Sequence, residues 1–348
     1  HRTSKMAHSS SSSYSSIRGR RVVVTGSSGF VGLRLVEMLA AAGAAEIVAF
    51  DRQPFPEDLW LGSVDELKRV RQVVGDITNK QSVLDACVGV DGVFHIAALV
   101  GPYHEEESYI AVNYQGTLNV IEACRCHYVT KLVASSSPST RMDGTDISGK
   151  TEEELVMQPE GHHLEPYSET KAMGEMAVRN ACSDVLFTVA LAPHQVYGPR
   201  DSLMLPNFLA AARSGKLRVF GNGQNLVSFT YVDNYCHGLL LAFDALLPHS
   251  PVLGKFLIVT DDEPVLFWEA INDAGVGLGY DSILDKLHVP RLAILGISYC
   301  MQLVGRALGT SFRLTPFAVR MVTIDRWFDI SAAKKLLHYK PLVSAEKG

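Results

Sequence analysis

Along the first two thirds of the chain, short continuous apolar runs alternate with longer segments that have the period of an amphipathic helix. Arg21–Thr25 is a β-branched run that ends at glycines, which is typical of a buried parallel strand. Residues 30–42 have apolar side chains at helical spacing and are followed by Gly43. The alternation continues with strand-like runs at residues 47–51, 70–74, 93–97, 131–135 and 185–191, and with helical segments at 108–127 and 167–180.

This alternation predicts the α/β class, with a Rossmann-type doubly wound parallel sheet covered by helices on both faces. From about residue 192, prolines and glycines become frequent and the alternation becomes irregular. We therefore predict a Rossmann domain over residues 19–191 and a smaller, loop-rich C-terminal substrate-binding domain over residues 192–348. Residues 1–18 are rich in serine and contain no acid, which predicts a disordered leader. An organelle transit peptide is a second interpretation of this leader.

The composition is that of a globular protein, because 47% of the 348 residues are apolar, 20% are charged and the formal net charge is −5. This charge disfavours a nucleic-acid partner, which needs clustered positive residues. The six cysteines show no CxxC pair and no zinc-ligand spacing, so a reducing compartment fits them best. His162 and His163 have no partner at ligand spacing, and no metal site is predicted.

A glycine-rich loop follows the first predicted strand and opens the first predicted helix. Glycines permit the tight turn and the close approach of the backbone to a pyrophosphate, and the helix N-terminus supplies free N–H groups. The sequence therefore predicts a dinucleotide at this loop. The residues assigned to it are Gly26, Gly29, Phe30, Val31 and Gly32, in a GxxGxxG pattern.

Asp51 ends the second predicted strand, at the distance from the loop where such folds place a ribose-binding acid. Its carboxylate can accept hydrogen bonds from a ribose diol and would repel a 2′-phosphate. This predicts NAD as the cofactor. Arg52 follows directly and could accommodate a phosphate, so NADP is the alternative.

Tyr167 and Lys171 lie four residues apart in a predicted helix and share one helix face. Three consecutive serines, residues 135–137, close a strand at the sheet edge where ligands bind. A phenol has a pKa of about 10, which a neighbouring ammonium and a positively charged nicotinamide would both lower. With a serine hydroxyl to hold the substrate oxygen, these residues predict hydride transfer between an alcohol and a ketone.

These motifs resemble the extended short-chain dehydrogenase/reductase family, over roughly residues 19–348. Further segments carry the resemblance: Gly75-Asp76-Ile77-Thr78, Phe94-His95-Ile96-Ala97-Ala98, Val112-Asn113-Tyr114-Gln115-Gly116-Thr117 and Val196-Tyr197-Gly198-Pro199-Arg200. The resemblance implies an NAD-dependent enzyme that acts on an alcohol or its ketone.

The resemblance also implies the roles of individual residues. Ser137, Tyr167 and Lys171 match the catalytic residues of the family, with Ser136 as the alternative occupant of the serine position. Tyr167 and Lys171 would also contact the cofactor. The remaining cofactor-lining positions are Asp76 and Ile77 beside the adenine, Ala97, and the stretch from Pro193 to Val196. His95 is expected to be a packed histidine without a chemical role.

Within the family, the sequence resembles the 3β-hydroxysteroid dehydrogenase branch, and in it the dehydrogenases of sterol-4α-carboxylates. Residues 221–230, 260–264 and 340–343 carry this similarity. It implies a sterol or steroid substrate whose 3β-hydroxyl is oxidised, with loss of CO₂ where a 4α-carboxylate is present. The chain has Ala192 where the branch commonly has an arginine before the proline. Arg141 is expected either on the surface or against an anionic group of the substrate.

Two other functions stay open. A nucleotide-sugar epimerase or dehydratase would use the same chemistry, but family members with such substrates usually carry an arginine at the position of Val227. A cofactor-binding accessory subunit without activity is the third interpretation, and the complete set of Ser137, Tyr167 and Lys171 argues against it.

Residues 292–308 form a long apolar segment in the second predicted domain. Leu295, Tyr299 and Leu303 lie on one helical stripe, together with Leu292 and Ala307. At about 1.5 Å per residue the segment is marginal for crossing a bilayer, so it is either a core helix or a helix in the bilayer surface. The family resemblance favours a peripheral position on the cytosolic face of the endoplasmic reticulum membrane or on lipid droplets. A homodimer is left open.

Overall fold

The computed structural model describes residues 14–101, 104–310, 312 and 314–345. Its strands are β1 (Arg21–Thr25), β2 (Glu46–Asp51), β3 (Val70–Val74), β4 (Gly92–His95), β5 (Lys131–Ser135), β6 (Ile147–Lys150), β7 (Phe187–Pro193), β8 (Val196–Tyr197), β9 (Leu226–Val227), β10 (Thr230–Tyr231), β11 (Phe256–Val259), β12 (Val265–Leu266) and β13 (Arg326–Phe328). Its helices are α1 (Phe30–Ala41), α2 (Val64–Leu67), α3 (Lys80–Ala86), α4 (Glu106–Tyr109), α5 (Gly116–Cys126), α6 (Pro166–Asn180), α7 (Leu205–Arg213), α8 (Val232–Ala245), α9 (Phe267–Gly277), α10 (Arg291–Leu308), α11 (Pro316–Met321) and α12 (Ser331–Leu337).

Seven parallel strands form the main sheet in the order β11-β7-β5-β4-β1-β2-β3. Successive side chains of a strand face opposite sides, so Val22 and Val24 enter one core while Val23 enters the other. Helices α1, α8 and α12 cover the first face, and α3, α5 and α6 cover the second. The predicted Rossmann-type sheet is confirmed, and the carboxyl ends of its strands meet at one edge.

The helix predicted over residues 108–127 is interrupted by a π-helical turn, Ile110–Gln115. Within this turn the Asn113 side chain accepts a hydrogen bond from the Leu99 N–H at 2.8 Å and donates one to the Leu99 carbonyl at 3.1 Å. The wider turn thus holds the loop that follows β4. Apolar periodicity does not reveal such a turn, because the flanking helices keep their buried faces.

A second sheet, ordered β12-β9-β13-β6, lies beside the main one. Its strand β6 comes from the first half of the chain and pairs in parallel with β13 near the C-terminus. Conversely, β11 comes from the C-terminal half of the chain but joins the main sheet, and α8 and α12 from the same half cover one face of that sheet. The predicted boundary between residues 191 and 192 therefore does not separate the two sheets.

The last residues of the predicted leader pack against α8. Ile17 is completely buried, the Tyr14 hydroxyl lies 2.6 Å from His237 Nδ1, and the Ser16 N–H donates to Asp244 at 3.2 Å. The prediction of disorder is wrong for residues 14–18, because Ile17 supplies an apolar anchor. Residues 1–13 of the predicted leader lie outside the described residues.

Helix α10 turns most of its large apolar side chains outward. Leu292, Leu303 and Leu308 are 84%, 64% and 70% exposed, whereas Ile294 and Ser298 are buried. The interpretation as a core helix is therefore wrong. In the part of the chain that the structure describes, no helix is both long and apolar enough to cross a membrane.

Candidate active site

The glycine-rich loop between β1 and α1 excludes side chains at two positions. A Cβ on Gly26 would lie 2.8 Å from the backbone of Ala97, and one on Gly32 would lie 1.9 Å from the Gly26 carbonyl oxygen. Gly26 also has a φ of +75°, which disfavours any other residue. The Ser27 hydroxyl in this loop is buried with no hydrogen-bond partner among the described residues. A bound ligand would satisfy that hydroxyl.

The acids predicted to contact the cofactor stand at the ends of neighbouring strands. Asp51 ends β2, and its carboxylate accepts hydrogen bonds from the N–H groups of Ser28 at 3.0 Å and Gln53 at 2.9 Å. Asp76 comes two residues after β3, and hydrogen bonds from Thr78 lower the pKa of its carboxyl. The loop backbone therefore holds the Asp51 carboxylate beside the start of α1.

The remaining predicted cofactor residues lie along the same edge. Ile77 follows Asp76, Ala97 comes two residues after β4, Pro193 ends β7 and Val196 begins β8. Gly29 is the N-cap of α1, and Phe30 and Val31 are the first two residues of the helix. A loop without room for side chains at Gly26 and Gly32, the buried Ser27 hydroxyl and a carboxylate at the end of β2 together fit NAD.

The three serines after β5 have different partners. The Ser135 carbonyl accepts a hydrogen bond from Lys171 Nζ at 2.6 Å, and the Ser135 hydroxyl accepts one from the Tyr235 hydroxyl at 2.8 Å. The Ser136 hydroxyl donates to Glu175 at 2.7 Å. The Ser137 hydroxyl accepts a hydrogen bond from the Ser139 N–H at 3.2 Å, and it also faces Tyr167, where its hydrogen-bonding contact lowers the pKa of the phenol. The structure thus brings Ser137, Tyr167 and Lys171 together and turns Ser136 away from them.

Burial controls the electrostatics of the pair on α6. It raises the pKa of Tyr167 to about 12, against the hydrogen bond from Ser137, which lowers it. Burial lowers the pKa of Lys171 to about 8, against the charge of Glu175, which raises it. The Lys171 amine is therefore mostly an ammonium at neutral pH.

Arg141 lies neither on the surface nor in a position to meet the substrate, so both expectations for it are wrong. Its guanidinium is buried and contacts the Glu175 carboxylate through both terminal nitrogens, each at 2.6 Å. The guanidinium carbon also lies 3.4 Å from the centroid of the Phe256 ring. The sequence conceals this pair because Glu175 lies in α6, far along the chain from Arg141.

His95 is a packed histidine, as expected. Its ring nitrogens lie 2.9 Å from the hydroxyl oxygens of Thr25 and Thr117. Burial lowers the pKa of the imidazole to about 3, so the ring is neutral near neutral pH.

Arg326 is a residue that the sequence did not single out, and it contacts His194, which lies within the stretch from Pro193 to Val196 that was predicted to line the cofactor. His194 follows Pro193, its Nδ1 donates to the Ser228 carbonyl at 2.7 Å, and its Nε2 accepts from Arg326 at 3.1 Å. Arg326 is 2% exposed and has no carboxylate partner among the described residues. Burial lowers the pKa of its guanidinium to about 10. A lone arginine in a strand of three residues gives no sequence signal of burial.

No group of three His, Cys, Asp or Glu side chains within the described parts of the chain is arranged to hold a metal ion. Together, fold and site define a Rossmann-type oxidoreductase, and its cofactor is NAD. The chain belongs to the 3-beta hydroxysteroid dehydrogenase/isomerase family, whose model matches residues 23–284.

Named relatives span nearly the whole chain. The human sterol-4-alpha-carboxylate 3-dehydrogenase, decarboxylating, is 35% identical and aligns with 94% of this chain and 86% of its own length. A 2-alkyl-3-oxoalkanoate reductase of Stenotrophomonas maltophilia is also 35% identical, over 94% of this chain and 97% of its own length. The solved structure of MoeE5 in complex with UDP-glucuronic acid and NAD shares the fold, with a TM-score of 0.70 and 22% identity over 94% of this chain and 96% of its own.

Proposed function

We propose that the protein uses NAD to oxidise the 3β-hydroxyl of a sterol that carries a 4α-carboxylate, and that the oxidised product then loses CO₂. The observation that carries the proposal is the contact of Ser137 with Tyr167, one helical turn from Lys171, at the sheet edge that holds the glycine cradle. Ser137, Tyr167 and Lys171 are its catalytic residues.

In the proposed reaction, Tyr167 as phenolate takes the proton of the 3β-hydroxyl, while Ser137 holds the substrate oxygen. The ammonium of Lys171 favours the phenolate. Bound NAD supplies a hydride acceptor for the hydrogen on C3. The C3 oxygen becomes a ketone, which makes the substrate a β-keto acid. The bond from C4 to the carboxyl carbon then breaks, CO₂ leaves, and the resulting enolate takes up a proton at C4.

The names of two relatives support a carboxylated substrate. A sterol-4-alpha-carboxylate and a 2-alkyl-3-oxoalkanoate both carry the carboxylate on the carbon next to the one that bears the hydroxyl or ketone. The shared chemistry is therefore that of a 3-hydroxy acid and its 3-oxo acid. We extend this shared chemistry to the present chain.

Arg326 is the residue that we assign to the carboxylate. A buried guanidinium without an acid partner is costly, and a substrate carboxylate would compensate that charge. Its neighbour His194 stands at the end of β7, beside the strand that leads to Ser137. β7 has Ala192 rather than an arginine before Pro193, and Arg326 supplies a cation to this neighbourhood instead.

A nucleotide-sugar substrate is the second candidate. Val227 is completely buried and offers no charge to a diphosphate, but Arg326 is its register partner in the neighbouring strand β13. The absence of an arginine at position 227 therefore does not by itself exclude a diphosphate. The complete catalytic set opposes the third interpretation, an inactive accessory subunit.

The outward face of α10 supports a peripheral position at a membrane or lipid-droplet surface. An apolar groove of about 560 Å³ runs along this face, lined in part by Leu292, Ile297 and Val304. Arg320 donates a hydrogen bond to the exposed Tyr299 at 3.0 Å, which puts a cation beside the apolar face, where lipid headgroups would lie. Since sterols reside in such surfaces, we assign the protein to the cytosolic face of the endoplasmic reticulum or to lipid droplets.

The proposal is tested by incubating the purified protein with NAD and a substrate panel while the absorbance of NADH is followed. The panel contains a 3β-hydroxysterol with and without a 4α-carboxylate, a 2-alkyl-3-hydroxyalkanoate and a UDP-sugar. We expect fastest NADH formation, with CO₂ release, on the 4α-carboxysterol. Turnover confined to the alkyl acid or to the UDP-sugar would replace the proposed substrate with that class.

A further inference from the structure

Glu175 lies one helical turn beyond Lys171 on α6, and its carboxylate is completely buried. It accepts hydrogen bonds from the Ser136 hydroxyl at 2.7 Å and from both terminal nitrogens of Arg141 at 2.6 Å. Arg179, one turn further on, adds a contact at 3.3 Å. The charge on this buried carboxylate is therefore fully compensated.

Arg141 is fixed as firmly as its partner. Its guanidinium stacks on Phe256, and its carbonyl oxygen accepts a hydrogen bond from the Gln158 side chain at 3.3 Å. Two parallel bonds between a guanidinium and a carboxylate restrict both distance and orientation. The pair thus joins α6 to the turn Pro138–Arg141, which follows Ser137 directly.

Two contacts restrict the direction of the Ser137 side chain: the bond from Ser136 to Glu175 before it, and the bond that the Ser137 hydroxyl accepts from the Ser139 N–H at 3.2 Å. Ser137 has an extended backbone, with φ −153° and ψ 141°, and successive side chains of an extended segment face opposite sides. The Ser136 N–H is held by the Leu191 carbonyl at 2.8 Å. With the Ser136 side chain tied to Glu175, the side chain of Ser137 is directed to the opposite side, where Tyr167 lies.

We propose that Ser136, Glu175 and Arg141 form a buried positioning unit, in which the ion pair anchors Ser136 and thereby fixes the hydrogen bond between Ser137 and Tyr167. None of the three touches the reacting atoms. The inference rests on the catalytic roles proposed above for Ser137 and Tyr167. Arg141 acts only through Glu175, and its positive charge is compensated by the Glu175 carboxylate.

The test measures the phenol of Tyr167 directly in the protein with NAD bound. Phenolate absorbance is titrated for the wild type and for Ser136→Ala, and the titration of the matching Tyr167→Phe chain is subtracted from each. The other groups that face Tyr167 are Lys171 on the same helix, Tyr109 on α4 and Tyr235 on α8. Ser136→Ala leaves these groups in place and leaves the ion pair of Glu175 intact.

Since the hydrogen bond from Ser137 lowers the pKa of Tyr167, Ser136→Ala is expected to raise it by about one unit, the size of one weakened hydrogen bond. With the sterol that the wild type oxidises as substrate, kcat of Ser136→Ala falls about 10-fold, while KM for NAD is unchanged. Small misplacements of reacting groups have effects of this order. Arg141→Lys keeps the charge but loses the bidentate contact with Glu175. This variant is also expected to raise the pKa of Tyr167 and to lower kcat. The matched control is Ser148→Ala, which removes a hydroxyl from an exposed contact with Asp325.

A Tyr167 pKa and a kcat that both stay at the wild-type values in Ser136→Ala would overturn the inference. A loss of thermal stability alone, or a change confined to KM for NAD, would overturn it as well. If the wild type oxidises no sterol on the panel, the proposed function fails, and the absorbance titration still decides whether Ser136 positions Ser137.

Discussion

Lys171 Nζ donates a hydrogen bond to the backbone carbonyl of Ser135 at 2.6 Å, so the catalytic helix is tied to the end of the strand that carries the serines. The hydroxyl of the same serine accepts from Tyr235 on α8, on the other face of the sheet. The end of β5 is therefore held from both faces. Hydrogen-bonded supports of this kind keep a reacting constellation within the tolerance that catalysis requires.

Asp51→Ala is expected to weaken NAD binding and to reduce the preference for NAD over NADP. The substitution removes both the acceptor for the ribose hydroxyls and the repulsion of a 2′-phosphate. The measurement is the ratio of kcat/KM for the two cofactors, with Asp65→Ala as the control because Asp65 is fully exposed on α2. A wild type that already prefers NADP would assign the choice to Arg52 instead.

Arg326→Met should raise KM for a 4α-carboxysterol by about 10- to 100-fold, the value of one hydrogen-bonded contact to a charge. Turnover of the same sterol without the carboxylate should be unaffected. Methionine fills a similar space and removes a buried charge that has no acid partner, so the fold is expected to persist. Equal losses on both sterols would remove Arg326 from carboxylate recognition.

Two buried histidines make the protein sensitive to acid. Burial lowers the pKa of His95 and of His194 to about 3, below the usual value near 6.5. The unfolded chain therefore binds more protons below pH 6.5, and the free energy of unfolding falls as the pH decreases. The loss between pH 7 and pH 5 should be about 2 kcal/mol for each histidine.

Denaturant unfolding of His95→Gln at both pH values checks this linkage. The variant should lose about 2 kcal/mol less than the wild type on acidification, whereas His162→Gln, in an exposed loop, should behave as the wild type does. An unchanged pH dependence in His95→Gln would contradict a neutral imidazole at that position.

Replacing Leu292, Leu303 and Leu308 of α10 together with serine should leave the protein folded but abolish its sedimentation with vesicles. The vesicles contain phosphatidylcholine with a minor fraction of phosphatidylserine. Because these leucines are exposed, their loss removes no core packing. The matched control replaces three exposed leucines outside α10, Leu61, Leu278 and Leu287. Equal sedimentation of the two variants with vesicles would contradict the membrane assignment.

The sequence predicted six of the seven strands of the main sheet, and most of them are continuous apolar runs with turn residues after them, as Arg21–Thr25 shows. It missed β11, a four-residue strand in the segment where the alternation of strand and helix signals becomes irregular. It missed the second sheet because the strands there are two to four residues long and join distant segments, as Ile147 and Arg326 do. Such pairings leave no local periodicity to detect.

The candidate site divides in the same way. Gly26, Asp51, Tyr167 and Lys171 stand in local motifs whose spacing has a physical reason. The contact between Arg141 and Glu175, and the burial of Arg326, depend on tertiary packing between segments that are distant in the chain. For the catalytic serine, the sequence predicted Ser137 with Ser136 as the alternative. The structure separates the two because the Ser136 hydroxyl is bonded to Glu175.

The most direct test uses a 4α-carboxysterol with deuterium on C3 and follows the label into the nicotinamide by mass spectrometry, together with CO₂ release. The wild type should form one deuterated NADH and one CO₂ per sterol. Tyr167→Phe should lower both rates by about 10²- to 10⁴-fold, the contribution of a general base, with NAD binding retained. Release of CO₂ without labelled NADH, or full turnover by Tyr167→Phe, would contradict oxidation at C3 by this site.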